Sequence, residues 1–372
     1  IISLGSSQNA KMTVAGTLLA GGTLVNSLNI AGASSLSFAA STDVLNIVSG
    51  GLLKSGGASN IGTAGTWGVL TSGGTVQNLA SELLLTVPSG AAVTLYSQVA
   101  NNGTSGSTTS LVISGLGTVS LAPQVGGTST YSGPTIINQA TVNTTGVAAG
   151  VTVIPGTLTL NNAAVTMGTA GAIASSAPIN LNGSATLTLT GANTLNGPIT
   201  FNNTGGVATP TLATGGILTL GGNLTANNES FSYFPTLSGT IDLANSTRTF
   251  TTGGLSPLSL VSSAVIQSTG GGGVLTKAGN GLLSLNAQNT FAGGVNIGAG
   301  GVLAGVSTTL VSGSWTSGAF GTGTVTLSGD SARLLGVATT VYNPVSVTNP
   351  SNTLIIGGVA SNNLALNGAL TF

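Results

Sequence analysis

The amino-acid sequence predicts an all-β fold, a parallel β-solenoid (β-helix) running over residues 1–372 as one elongated rod. Three observations carry this reading. A strand–turn–strand unit recurs, apolar and polar residues alternate with period two from end to end, and charge is nearly absent. The unit reads LSLNAQNTFAGGVNI at 283–297 and LTLTGANTLNGPITF at 187–201, and the two align without a gap. Each has an alternating strand (Leu283, Leu285; Leu187, Leu189) and a turn with Asn-Thr (Asn289-Thr290; Asn193-Thr194). One apolar residue (Phe291; Leu195), a Gly (Gly293; Gly197) and a second alternating strand follow. A looser copy, TYSGPTII at 130–137, follows TVSL at 118–121. Units that cannot bury a face alone must stack on one another.

The alternation places strands at 16–30, 43–53, 156–167, 216–226, 323–335 and 346–358, with Gly, Asn or Asn-Gly at their ends. Leu and Val on alternate positions point inward, with Thr and Ser outward. No stretch reads as an amphipathic helix, and no Pro-rich hinge or charge block interrupts the pattern. One continuous unit is therefore expected, without a domain boundary. Coils of roughly 20–25 residues at about 4.8 Å per rung would give about 15–18 rungs and a rod on the order of 80 Å. A transmembrane β-barrel also alternates. It is disfavoured because aromatics are only 4% and form no paired girdles.

Charged residues make up 3% of the chain, against about 25% in ordinary soluble domains. The ten are Lys11, Asp43, Lys54, Glu82, Glu229, Asp242, Arg248, Lys277, Asp330 and Arg333. In a stacked coil a repeated charge would face a like charge above and below. Asn, Ser and Thr can form hydrogen-bonded ladders in the same place. The few acids are expected mostly at exposed corners, which predicts a stability nearly flat between about pH 5 and 9.

Net charge is zero, so no electrostatic footprint for nucleic acid exists. No apolar run is long enough for a membrane-spanning helix. The opening IISLGSSQNAKM does not read as a signal peptide. The closing NLALNGALTF resembles the start of another repeat, so the chain is expected to be a segment of something longer.

Chemistry is constrained by what is missing. Without His or Cys, no disulfide, thiolate or imidazole site is expected. Glycoside hydrolysis needs two carboxyls about 5–10 Å apart, which five dispersed acids do not supply. Asp330 and Arg333 read as a surface ion pair. GDSARL at 329–334 offers Ser331 no base. No catalytic, cofactor-binding or metal-ligating residue is predicted, and no cofactor. The segment 227–250 is locally rich in scarce residue types. Glu229, Phe231, Tyr233, Phe234, Asp242 and Arg248 form a candidate partner surface. The plainer alternative stacks the Phe rings inside the coil with Tyr233 at a rim. Trp67 and Trp315 read as core or corner residues.

The segment GGGVLTKAGNGLLSLNAQNTFAGGVNIGAGGVLAG (271–305) resembles the autotransporter-associated β-strand repeat. The matching residues are Val274, Lys277, Gly279, Gly281, Leu283, Leu285, Asn289, Phe291, Gly293, Gly294, Ile297, Gly300 and Leu303, whereas Ala287 departs from the family Gly. The resemblance implies a right-handed β-helix in the secreted passenger region of a bacterial surface protein, extracellular, with a structural or adhesive role.

Three functions follow as expectations. The first is a non-enzymatic structural solenoid of a bacterial cell-surface or extracellular fibre, partnered with itself through open strand edges and a neutral surface. The second is an adhesin or ligand-binding passenger recognising glycans or a host surface, through 227–250 or through Thr/Asn ladders. TLTLTGANT (186–194) suits ice or a crystalline polysaccharide, but varying insertions argue against a regular face. The remote third is a carbohydrate-active β-helix enzyme using Asp242 or Asp330.

Overall fold

The computed structural model describes residues 5–76, 78–103, 106–349, 355–359 and 362–372. These residues form no helix. Parallel strands stack as a β-solenoid of about 14 turns. The first coil shows how the sequence makes the turn. Asn9–Met12, Gly16–Thr17 and Thr23–Val25 are short strands separated by corners. The chain then re-enters the first sheet as Ser27–Ala31, with Asn9 opposite Ser27 and Met12 opposite Ile30. Most strands stay short, and Gly or Asn often stands at or beside their ends.

The chain forms two compact units, Ile1–Asn180 with Thr186–Thr190, and Leu181–Ala185 with Gly191–Phe372. In the former, the first sheet runs through Asn9–Met12, Ser27–Ala31, Gly51–Ser55, Ala80–Thr86, Thr108–Ser114, Thr135–Asn138 and Leu158–Asn161. A second sheet holds Gly16–Thr17, Leu36–Ser37, Gly57–Ile61, Ala91–Leu95, Thr118–Leu121, Thr141–Asn143, Ala164–Met167 and Thr186–Leu189. A third face is shorter, Thr23–Val25, Val44–Ile47, Val69–Ser72 and Gln98–Val99.

In the other unit the first sheet continues the same style from Ile199–Asn203 through Arg248–Gly253 and Leu275–Ala278 to Leu370–Thr371. The second sheet there includes Thr211–Leu220, Thr236–Asp242, Leu282–Leu285, Gly301–Ala304, Arg333–Gly336 and Ile355–Gly358. One antiparallel hairpin, Thr309–Val311 with Ser314–Ser317, projects from a coil.

Period-two alternation sorts the side chains as the sequence requires. Leu187, Leu189, Leu283 and Leu285 are at most 1% exposed. Leu195 and Phe291 are buried after their turns, and Phe201, Phe250 and Phe320 fill the interior of the second unit. The Asn-Thr positions read as turns are tighter than a turn. Asn193–Leu195 is a short strand, and Asn289 bridges to Gly318.

Two expectations are corrected. Coils vary more than the sequence suggests, from Asn9 paired with Ser27 to Gly57 paired with Ala91. Larger loops leave fewer turns than the 15–18 expected. Trp315 is not a core residue. It sits 39% exposed on the hairpin and donates its indole N–H to the Thr322 carbonyl at 3.0 Å. The ladders of the solenoid sheets are parallel and their interior is apolar, whereas membrane barrels are antiparallel with a polar lumen. No helix among the described residues is long and apolar enough to cross a membrane.

Leu285→Asp would bury an unpaired carboxylate and cost several kcal/mol. Thr326→Asp, outward between Asn296 and Ser346, should cost less than about 1 kcal/mol. Urea midpoints of the two variants check this. Equal costs would contradict the inward assignment.

Candidate functional site

The scarce charges are the natural place to look for a site, and most of those that are buried are held by the backbone. Lys54 and Lys277 occupy inward positions on the first sheet, 1% and 0% exposed. Lys54 lies in register with Ile30, and Lys277 with Phe250 and Ile297. Neither ammonium has a carboxylate among its hydrogen-bond partners. Lys277 Nζ donates to the carbonyls of Ala278 (2.7 Å), Gly279 (2.6 Å) and Ala299 (3.0 Å). Lys54 Nζ donates to those of Gly32 (2.5 Å), Ile30 (3.4 Å) and Gly56. Each lysine thus caps the turn that ends its own strand and ties it to a neighbouring coil. Gly279 makes the turn possible with φ +74°, and a Cβ there would lie 2.3 Å from the Thr252 carbonyl.

Burial, with the Arg333 guanidinium as a second cause, pulls the Lys277 ammonium down to about 7. Burial lowers Lys54 as well. The sequence expectation of exposed corners concerned the acids, and neither lysine was given a buried place. The signal was present as K-x-G, in KSGG and KAGN.

Two acids do the converse. Asp43 accepts the N–H groups of Gly21 (2.8 Å) and Ala40 (2.7 Å), which hold its carboxyl below the usual range. Burial pushes Asp242 up. The Thr269 hydroxyl and the N–H groups of Thr269 and Ala244 outweigh it and leave the carboxyl lowered.

The candidate surface at 227–250 therefore divides. Asp242 is 5% exposed and engaged at its turn, and Phe250 is in the core. Arg248 is half-buried, with its Nε enclosed and lacking a partner. Glu229, Phe231 and Tyr233 are exposed and Phe234 is half-buried, on one loop. Asn203 and Asn228 hold that loop. Asn203 Nδ2 donates to Asn228 Oδ1 (2.7 Å) and to the Tyr233 carbonyl (2.8 Å). Loops of adjacent coils stack on it, since Ser230 Oγ donates to the Gly206 carbonyl (2.9 Å) and Ser256 N–H to the Asn228 carbonyl (3.0 Å). The exposed Val207 and Leu255 belong to those loops, so Val207, Phe231, Tyr233 and Leu255 make an apolar knuckle.

The outward sheet faces carry the expected ladders. Asn161 donates to Asn138 (2.7 Å) and Asn138 to Ser114 (3.2 Å) in one unit. Asn227 donates to Asn202 (3.0 Å) and Asn202 to Asn182 (2.8 Å) in the other. On the second sheet of the first unit, Asn60, Thr94, Ser120, Asn143, Thr166 and Thr188 follow one another in register. Two residues earlier in each strand, Ala58, Ala92, Thr118, Thr141, Ala164 and Thr186 form a second row. The varying insertions expected to spoil such a face fall in the corners and leave the register intact.

Asp330 and Arg333 do not hydrogen-bond each other. Asp330 accepts from Asn349 Nδ2 at 2.6 Å, and Arg333 donates to the Asn280 carbonyl at 3.0 Å. Among the described residues no group of three or more His, Cys, Asp or Glu is placed to hold a metal. No family model, curated protein or solved structure matches the chain. The fold is compatible with the repeat resemblance at 271–305, and the identity of that family rests on the sequence motif alone.

The buried titratable groups add slopes to the flat pH profile expected from sequence. Between about pH 7 and 10 folded Lys277 binds fewer protons than the unfolded chain, so stability should rise with pH through that window. Above about pH 10 it should fall again, because burial raises the Tyr131 hydroxyl and only the unfolded chain ionises there. Below about pH 4 it should fall as Asp43 and Asp242, both lowered by folding, take up protons. Chemical denaturation from pH 3 to 11 checks all three limbs.

Asn289 is 0% exposed, accepts the Ile266 N–H (2.7 Å) and donates to the Ala319 carbonyl (2.7 Å). Asn289→Ala orphans both groups and should cost about 2–4 kcal/mol. Asn202→Ala, on the half-exposed ladder, should cost under about 1 kcal/mol.

Proposed function

We propose that the chain is a non-enzymatic structural β-solenoid, part of a bacterial cell-surface or extracellular fibre, that associates with copies of itself. The observation that carries this reading is the use made of charge. Lys54, Lys277, Asp43 and Asp242 fasten turns and coils together through backbone groups, which is a scaffold's use of them. What remains outward on the sheets is largely Thr, Ser, Asn and Ala, with little electrostatic repulsion between copies. The hairpin adds a point of association. Its two strands have free edges, and Leu310 (41%), Val311 (57%) and Trp315 are exposed. The motif at 271–305 supports the extracellular bacterial setting.

A second reading is an adhesin passenger binding a glycan or a host surface. The paired rows from Ala58 and Asn60 to Thr186 and Thr188 favour it, because they present a regular, uncharged lattice of hydroxyl and amide groups.

Electron microscopy and light scattering across a sodium chloride series test the first reading. Assemblies should persist from 0.1 to 1 M, because screening removes no contact that apolar and hydroxyl faces make. Leu310→Lys with Val311→Lys should shift the assembly threshold to higher concentration. Dissolution by salt would assign the contacts to the few surface charges. A monomer at high concentration would favour the adhesin.

A further inference from the structure

Lys277 and Arg333 approach one turn from opposite sides. Lys277 Nζ takes the carbonyls of Gly279 and Ala299 from within the coil, and Arg333 takes the next carbonyl, that of Asn280, from outside. Arg333 reaches Asn280 by crossing the coil that lies between them, because its strand neighbour is Gly301. A Cβ on Gly301 would stand 2.9 Å from Arg333 Cβ and 2.7 Å from Leu282 Cδ2. The missing side chain therefore both admits the arginine and hollows the sheet face. Beside the arginine lies a cleft of ≈430 Å³, lined by Asn280, Gly300, Ser331, Arg333 and Ile355.

Two cations are thus stacked across a single layer of peptide groups, with no carboxylate bonded to either. Their mutual repulsion is felt at Lys277, whose proton affinity Arg333 lowers. The acid nearest in sequence, Asp330, is engaged by Asn349. Among the described residues the guanidinium donates to the Asn280 carbonyl, while the fork carries five N–H donors. An oxyanion that presents two neighbouring oxygens is the chemistry that matches a guanidinium fork, and an anion is what relieves two facing cations.

We propose that this cleft binds an oxyanionic group, a carboxylate or a sulfate of the kind an acidic sugar carries, seated against Arg333 and Ser331. Gly300 contributes backbone to the lining, Asn280 offers an amide, and Ile355 gives the ring of a sugar an apolar wall. The cleft is large enough for a monosaccharide. The inference stands apart from self-association, and either can fail without the other.

Calorimetric titration of the whole chain with sodium galacturonate, galactose and sodium sulfate, at matched ionic strength, tests it. Galacturonate or sulfate should bind and galactose should not. Tighter binding of galacturonate than of sulfate would assign the site to an acidic sugar, and equal binding to the bare oxyanion. Arg333→Gln should weaken binding at least about tenfold, Arg333→Lys less, and Arg248→Gln not at all. No heat from either anion, or unchanged binding by the Arg333→Gln chain, would overturn the assignment.

Discussion

In a parallel coil every side chain has its own structural equivalent above and below it at about 4.8 Å. That repetition is the constraint on which the rest of this molecule depends. It rewards residues that tolerate a neighbour of their own kind, such as Leu inside and Asn or Thr outside, and it penalises charge. The Asn138–Asn161 and Asn202–Asn227 pairs show the favourable case, since an amide donates on one side and accepts on the other. A carboxylate or ammonium in the same row has nothing equivalent to offer its copy.

The charges that survive inside do so by bonding to backbone. Turn carbonyls converge on Lys54 and Lys277, and turn N–H groups converge on Asp43 and Asp242. The backbone dipoles act as counter-charges, so no ion pair is required at these positions. Each such residue joins segments of consecutive coils, as Lys277 does between Gly279 and Ala299. Arg333 belongs to the same scheme from the outer side, where it donates to the Asn280 carbonyl.

The strands and their inward faces were legible in the sequence because period-two alternation is local. Leu187, Leu189, Leu283 and Leu285 needed only their neighbours to be placed. The buried lysines were not legible, because their partners are carbonyls, which every residue has. Lys277 meets Gly279 in its own turn, but Ala299 only when the next coil is laid beside it. Asp242 was grouped with Phe231 and Tyr233 by nearness in sequence. The coil instead carries it to the opposite end of a strand, where the Thr269 turn meets it. Phe231, Tyr233 and Phe234 stay together in space because one short loop holds them. Trp315 was misread because an antiparallel hairpin inside a parallel coil leaves no mark in a period-two pattern.

The central claim is that carbonyl-capped lysines fasten neighbouring coils. Native-state hydrogen exchange of the parent and of Lys277→Met tests it most directly. Methionine keeps the apolar stem and removes the donors, leaving the carbonyls of Ala278, Gly279 and Ala299 without them. The account predicts faster exchange concentrated at 275–282 and 295–302, with distant coils little changed. Protection equal to the parent in both segments would show that the lysine is merely accommodated in the coil and does not hold it together.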